Sequence, residues 1–175
     1  MHSKKILCWF ASILLAGIVS AQQPYETMQE RPNEKTFKGW LTRSVLEQES
    51  SFTWMQENYK AYQPHAQGLQ TMRTYKDSVR FLIFMGTWCE DSHFIIPRFF
   101  ALADAAGLAA DRISLAGVAR NKTTWGQLSA TLGVDLVPTI IVYRQGKELG
   151  RVVEYGRYGQ FDREIGEIIQ KGFQQ

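Results

Sequence analysis

From Val79 the chain reads VRFLIFMG, an apolar run rich in strand-forming side chains, as expected of a strand buried on both faces. Gly86 and Thr87 break the run. Phe94, Ile95, Phe99 and Leu102 then recur at roughly helical spacing. Cys89 therefore falls where a buried strand ends and a helix begins. Downstream, Ile113 to Val118 predicts a second buried strand. Trp125, Leu128 and Leu132 form the apolar side of a further helix, with caps available from Asn121 to Thr124 and a stop at Gly133. Ile140 to Tyr143 and Leu149 to Val153 flank Gly146 as strand, turn and strand. Gly159 to Ile169 predicts a closing amphipathic helix with Phe161, Ile165, Ile168 and Ile169 on its apolar side.

Upstream of this core the pattern is looser. Gln22 to Lys35 is polar, holds Pro24 and Pro32, and reads as a mobile lead-in. Phe37 to Leu46 begins as a strand. Ser50 or Ser51 caps a helix running through Tyr62, ended by Pro64, and Leu69 and Met72 mark a short helix before Asp77. Parallel strands need helical crossovers, whereas the final pair can be antiparallel. The predicted fold class is thus α/β: a central mixed sheet flanked by helices, with a helical N-terminal extension.

The first 21 residues stand apart. His2, Lys4 and Lys5 precede an apolar stretch from Ile6 to Val19, and Val19-Ser20-Ala21 has the small residues of a cleavage site. The stretch is short for a bilayer span, and the segment reads as a secretory signal peptide cut before Gln22. Three regions follow: signal peptide 1–21, N-terminal extension and start of the fold 22–74, and core 75–175. Export places the protein in the periplasm or cell envelope, with no stable membrane insertion after cleavage.

Processing also changes the charge and the cysteine count. The full chain carries 20 basic and 17 acidic residues, a net +3; without Lys4 and Lys5 this falls to +1. No basic stripe points to nucleic acid. Of the two cysteines, Cys8 leaves with the signal, so Cys89 remains alone and no internal disulfide framework is possible. With one cysteine and three histidines in the chain, no metal cluster has plausible spacing, and no cofactor is expected. A lone thiol in an exported protein is buried and inert, paired with another molecule, or reactive. Cys89 sits at a helix start, where unpaired N–H groups and the helix dipole favour an anion and hence a thiolate. Glu90 and Asp91 oppose this electrostatically.

The segment Phe84-Met85-Gly86-Thr87-Trp88-Cys89-Glu90-Asp91-Ser92 resembles the active-site segment of the thioredoxin superfamily, in the WCxDS form of bacterial envelope thioredoxin-like proteins. Pro97 matches the family's helix proline eight residues after the cysteine. Val137-Pro138-Thr139, followed by an apolar strand and Gly146, resembles the cis-proline strand of the same family. Over roughly residues 75–172 the resemblance implies a thioredoxin-like sandwich. It also implies Cys89 as nucleophile, Trp88 shielding the thiol, and Val137 and Pro138 facing an extended substrate whose strand would pair with free Val137 backbone groups. Trp88, Glu90, Asp91, Val137 and Pro138 are the expected substrate-binding residues, and Cys89 and Ser92 the expected catalytic ones.

Two departures from the family pattern matter. Ser92 replaces the second cysteine and cannot resolve a mixed disulfide; its hydroxyl can instead donate a hydrogen bond to the Cys89 thiolate. Ile83 stands where many members carry a buried acid. His93 is a candidate imidazolium partner for the thiolate. The first reading is an exported thiol–disulfide exchange protein with a single-cysteine site, isomerase-like or a monothiol reductase, acting on thiol- or disulfide-bearing proteins or a small thiol. The second is a non-catalytic peptide- or protein-binding module. A glutathione-dependent monothiol glutaredoxin ranks third, because the preceding Trp88 is atypical and no basic clamp is evident. Mass spectrometry of the cell-derived protein should find Gln22 as its first residue; a chain retaining Met1 or Cys8 contradicts the export reading.

Overall fold

The computed structural model describes residues 24–174. The signal segment, its cleavage site and Cys8 lie outside the described residues. Six strands form one mixed sheet in the order β1-β2-β4-β3-β5-β6. The strands are β1 (Tyr25–Met28), β2 (Thr36–Leu41), β3 (Arg80–Met85), β4 (Ile113–Gly117), β5 (Thr139–Arg144) and β6 (Lys147–Val153). Six helices accompany them: α1 (Arg43–Gln48), α2 (Trp54–Lys60), α3 (Ala66–Tyr75), α4 (Glu90–Ala106), α5 (Leu128–Thr131) and α6 (Phe161–Gln174). The chain is an α/β protein whose mixed sheet is flanked by helices. Among the described residues no helix is long and apolar enough to cross a membrane.

The apolar run from Val79 becomes β3, at the centre of the sheet, parallel to β4 and antiparallel to β5. Successive side chains of a strand point to opposite faces, and β3 divides accordingly. Phe81, Ile83 and Met85 enter the larger core, with Ile95, Phe99 and Leu102 of α4, Met72 of α3 and Ile165 and Ile169 of α6. Phe84 enters a smaller cluster with Ala116, Val118, Val134, Val137 and Ile141. A strand apolar on every inward position is what burial under both layers requires.

The segment before residue 75 holds the expected helices and more sheet than its pattern promises. The supposed lead-in contains β1, which pairs antiparallel with β2 and packs Tyr25 on Phe37, ring centroids 5.0 Å apart. The helix expected from Ser50 or Ser51 to Tyr62 is the shorter α2, and α1 falls before it, in the stretch that begins as a strand. Thr42 caps α1, its hydroxyl accepting from the Val45 N–H at 3.3 Å, while Ser51 turns to the Glu49 carboxylate at 2.7 Å and caps nothing. The helix expected after Asn121 shrinks to a 3-10 turn, Trp125–Gln127, and the four residues of α5. Gly126 and Gln127 both take positive φ there. Trp125 is not on an apolar side but exposed, its indole N–H donating to the Pro24 carbonyl at 3.0 Å.

Helices α3 and α6 cross at two glycines. A Cβ on Gly68 would overlap the Asp162 carbonyl, and one on Gly166 would lie 3.0 Å from the Gly68 Cα. Backbone lies on both sides, so neither partner can yield as a flexible side chain would. Gly68→Ala should lose on the order of 3 kcal/mol, despite alanine's better helix propensity. Urea unfolding of the two proteins checks this, and equal midpoints would show that the crossing adapts.

Candidate functional site

The sheet register brings three loops together. Phe84 pairs with Thr139 and Met85 with Gly117, so the chain leaving β3, the chain leaving β4 and the chain entering β5 meet at one edge. Cys89 is the N-cap residue of α4, with extended backbone (φ −102°, ψ 119°). It is a free, partly exposed thiol. Opposite it the Val137–Pro138 peptide bond is cis, and the Cys89 thiol donates to the Val137 carbonyl at 3.2 Å. The two motifs, 48 residues apart in the chain, are in contact. The Val137 carbonyl, expected to be open to a peptide, is therefore already occupied by the thiol.

The loop from Gly86 to Cys89 is held on every side. Thr87, buried, accepts from the Phe37 N–H at 3.0 Å and donates to the Lys35 carbonyl at 2.9 Å, tying the loop to β2. The Trp88 indole donates to the Val118 carbonyl at 2.9 Å. A side chain on Gly86 would meet that ring 2.6 Å away, so the glycine makes room for the tryptophan. Ser92 is fully buried, and its hydroxyl oxygen accepts from the Gly86 N–H at 3.2 Å. Its oxygen thus serves the loop backbone, and no hydrogen bond from Ser92 to Cys89 is formed.

His93 likewise departs from its expected role. Its ring stacks on Trp54, 4.3 Å between centroids and 14° between planes, and its Nε2 lies 2.8 Å from the Thr87 carbonyl. The ring is engaged with the loop backbone rather than with the sulfur. Burial pushes its pKa below the ordinary value, which favours the neutral ring.

Charge is arranged on two sides of the thiol. On one, the Arg120 guanidinium lies 4.8 Å from the Trp88 ring centroid and the Lys122 ammonium 4.5 Å from it. Arg120 is paired with Glu34, and its hydrogen bonds hold the Glu34 carboxyl below its usual range. Lys122 donates to the Arg120 carbonyl at 3.3 Å. On the other side Asp91 accepts from the Tyr155 hydroxyl at 2.8 Å. That bond and partial burial push the Tyr155 pKa up to about 12. Glu90 is exposed on the first turn of α4. Ile83 is fully buried in β3. Among the described residues no three His, Cys, Asp or Glu side chains are grouped to hold a metal ion.

Sequence reading placed Cys89, Trp88, Val137 and Pro138 correctly as neighbours. It missed Thr87, Arg120, Lys122 and Tyr155. For Arg120 and Lys122 a signal existed: parallel strands end at the same edge, so residues after β4 must lie near residues after β3. Thr87 and Tyr155 gave none.

No family model matches the chain, and no curated protein matches it. Among solved structures it is similar to a protein of unknown function from Pseudomonas aeruginosa, PA1234, at 18% identity, with 67% of this chain and 80% of that one covered and a TM-score of 0.47. It is also similar to an HIV epitope scaffold, at 14% identity, with 75% and 99% covered and a TM-score of 0.48.

The state of His93 gives a stability prediction. Its folded pKa lies below the unfolded value of about 6.5, so folding binds the neutral ring in preference. This stabilisation is complete above about pH 6.5 and is lost as pH falls through the depressed folded value. Wild type should therefore lose urea resistance between about pH 6.5 and pH 5, before ordinary carboxylates titrate. His93→Gln keeps a donor for Thr87 and should lose less over that interval. Equal losses in both proteins would contradict the assignment.

Proposed function

We propose that this protein is a thioredoxin-fold thiol–disulfide exchange protein of the cell envelope, acting through Cys89 alone. The observation that carries the reading is the partly exposed thiol at the start of α4, in contact with the carbonyl of a cis Val137–Pro138 bond. A helix start favours the thiolate. Arg120 and Lys122 lie against the Trp88 ring on the neighbouring side. The thiolate attacks one sulfur of a substrate disulfide. A Cys89–substrate disulfide forms, the substrate's S–S bond breaks, and its other sulfur leaves as a thiolate. Release requires a second thiolate, from the substrate or from a small thiol, which attacks the mixed disulfide and returns Cys89 to the thiolate. Ser92 supplies no electrons to this step. Ionisation of the thiol removes the proton that bonds the Val137 carbonyl, so the reacting thiolate leaves that carbonyl open to an incoming strand.

A second reading has its own support. The thiol is tied to a backbone carbonyl and the resolving position is a buried serine, an arrangement that also suits a peptide-binding module with little turnover. Isolation under thiol-blocking conditions separates the two. Exchange without internal resolution leaves persistent higher-mass adducts that collapse on reduction. Cys89→Ser should abolish them. Ser92→Ala should keep them, while losing about 1–3 kcal/mol because the Gly86 N–H is left unpaired. If wild type yields no adducts and Cys89 alkylates no faster than an ordinary cysteine near neutral pH, the exchange reading fails and the binding module replaces it.

A further inference from the structure

A second feature lies farther along α4, on the side where Tyr155 meets Phe94. A cavity of about 250 Å³ is lined by Tyr62, His65, Phe94, Arg98, Gln160 and Phe161, among others. Arg98 takes part in no ion pair among the described residues, whereas Arg43, Arg120, Arg151, Arg157 and Arg163 each meet a carboxylate. Its guanidinium has one long bond, 3.4 Å to the Asn58 side-chain oxygen, and its buried Nε has no partner. The buried His65 Nδ1 is also without a partner. The guanidinium lies 3.2 Å over the Phe94 ring and 5.6 Å from the Tyr62 ring. Desolvation pulls its pKa below the ordinary arginine value. A buried guanidinium N–H without an acceptor is costly unless a ligand supplies one.

Asp162 borders the same cavity but does not fill that role. Its carboxylate accepts from the Tyr62 hydroxyl and the His65 N–H, each at 2.5 Å, and from the Arg163 N–H at 2.7 Å. It lies outside ion-pair distance of Arg98. The direction of the Arg98 side chain links the cavity to the thiol. Helical side chains lean toward the N-terminus, so the Arg98 head sits over Phe94, with an axial rise of about 8 Å from Cys89 to Phe94 and a lateral separation around the helix in addition. Tyr155 spans the interval, its ring 5.4 Å from Phe94 and its hydroxyl on Asp91.

We propose that this cavity binds a carboxylate carried by the molecule whose sulfur Cys89 attacks, with Arg98 as its counter-charge. The inference rests on the exchange reading above. A planar carboxylate matches the guanidinium fork, and the cavity admits a side chain or a small acid, not a folded partner. The source is either an acidic residue near the substrate's cysteine or the carboxylate of a small thiol.

The test compares two aromatic disulfides reacting with Cys89: 5,5′-dithiobis(2-nitrobenzoate), which carries carboxylates, and uncharged 4,4′-dithiodipyridine. In both reactions the Cys89 thiolate forms a mixed disulfide and an aromatic thiolate leaves. Arg98→Gln should lower the ratio of charged to neutral rates by about tenfold, and Arg98→Lys should restore it in part. In wild type the ratio should survive about 1 M salt, where the screening length is about 3 Å. Should Arg98→Gln fail to fold, added 4-nitrobenzoate should slow the charged probe and spare the neutral one in wild type. A ratio unchanged in Arg98→Gln, abolished by salt, or insensitive to 4-nitrobenzoate overturns the proposal. If Cys89 reacts with neither probe, the exchange reading itself falls. Two cysteine peptides activated as thiopyridyl disulfides, differing only in Glu or Gln beside the cysteine, separate the sources. An Arg98-dependent advantage for Glu identifies a polypeptide acid, and equal rates with the small-probe effect intact identify a small carboxylated thiol.

Discussion

The register of β3 with its two neighbours governs the rest of the molecule. Because β4 runs parallel to β3, both strands end at one edge; because β5 runs antiparallel, it begins there. The pairings Met85 with Gly117 and Phe84 with Thr139 therefore place Cys89, Trp88, Arg120, Lys122, Val137 and Pro138 within reach of one another. A slip of one residue would exchange the side chains of β3 between the two cores. The apolar residues on both faces of β3 hold that register. Phe81 and Ile83 commit it to the larger core and Phe84 to the smaller.

At this edge the polar residues act chiefly on the backbone. A loop between a buried strand and a helix carries amide and carbonyl groups that water reaches poorly, and each one left unpaired costs about 1–3 kcal/mol. Thr87, Ser92, His93 and the Trp88 indole each satisfy such a group: the Phe37 amide and Lys35 carbonyl, the Gly86 amide, the Thr87 carbonyl and the Val118 carbonyl. The loop is thereby fixed from β2, β4 and α4, and the thiol position is set with it. This explains why Ser92 and His93, chemically suited to act on a thiolate, do not contact one. Their polar atoms are engaged in holding the loop.

The same distinction governs what was legible in the sequence. The buried strands, α4, α6 and the final hairpin announce themselves through periodicity, because burial dictates their side chains. Cys89 opposite Pro138 was legible through the resemblance of the two motifs to the thioredoxin superfamily. β1 was not, since an edge strand of mostly exposed residues carries little apolar signal; it is held by pairing with β2 and by Tyr25 on Phe37. The short α5 was over-read, because Trp125 looks like a helix's apolar side and is instead an exposed ring bonded to the Pro24 carbonyl. The roles of Thr87, Ser92 and Tyr155 depend on partners 50, 6 and 64 residues away, and no local pattern encodes such a bond.

The surroundings of the thiol are asymmetric. On the Trp88 side the positive charges are accounted for: Arg120 is paired with Glu34, Lys122 leans on the ring and a backbone carbonyl, and the set braces β4's exit against the N-terminal hairpin. On the Tyr155 side the acid and the base are kept apart. Asp91 is engaged by the Tyr155 hydroxyl, while Arg98 is turned onto Phe94 with no carboxylate to meet it. Had Asp91 reached Arg98, the pair would have neutralised itself and closed that side to charged ligands. Asp91 instead meets the neutral Tyr155 hydroxyl, and Arg98, over Phe94, has no ion-pair partner among the described residues. An arrangement of that kind orients an incoming molecule that carries both a sulfur and a carboxylate, with the sulfur toward Cys89. An uncharged substrate would gain no such orientation. On the proposed exchange reading, discrimination would reside in α4 and its contacts with Tyr155 and α6, while the strand ends and the cis-proline loop set where the sulfur lies.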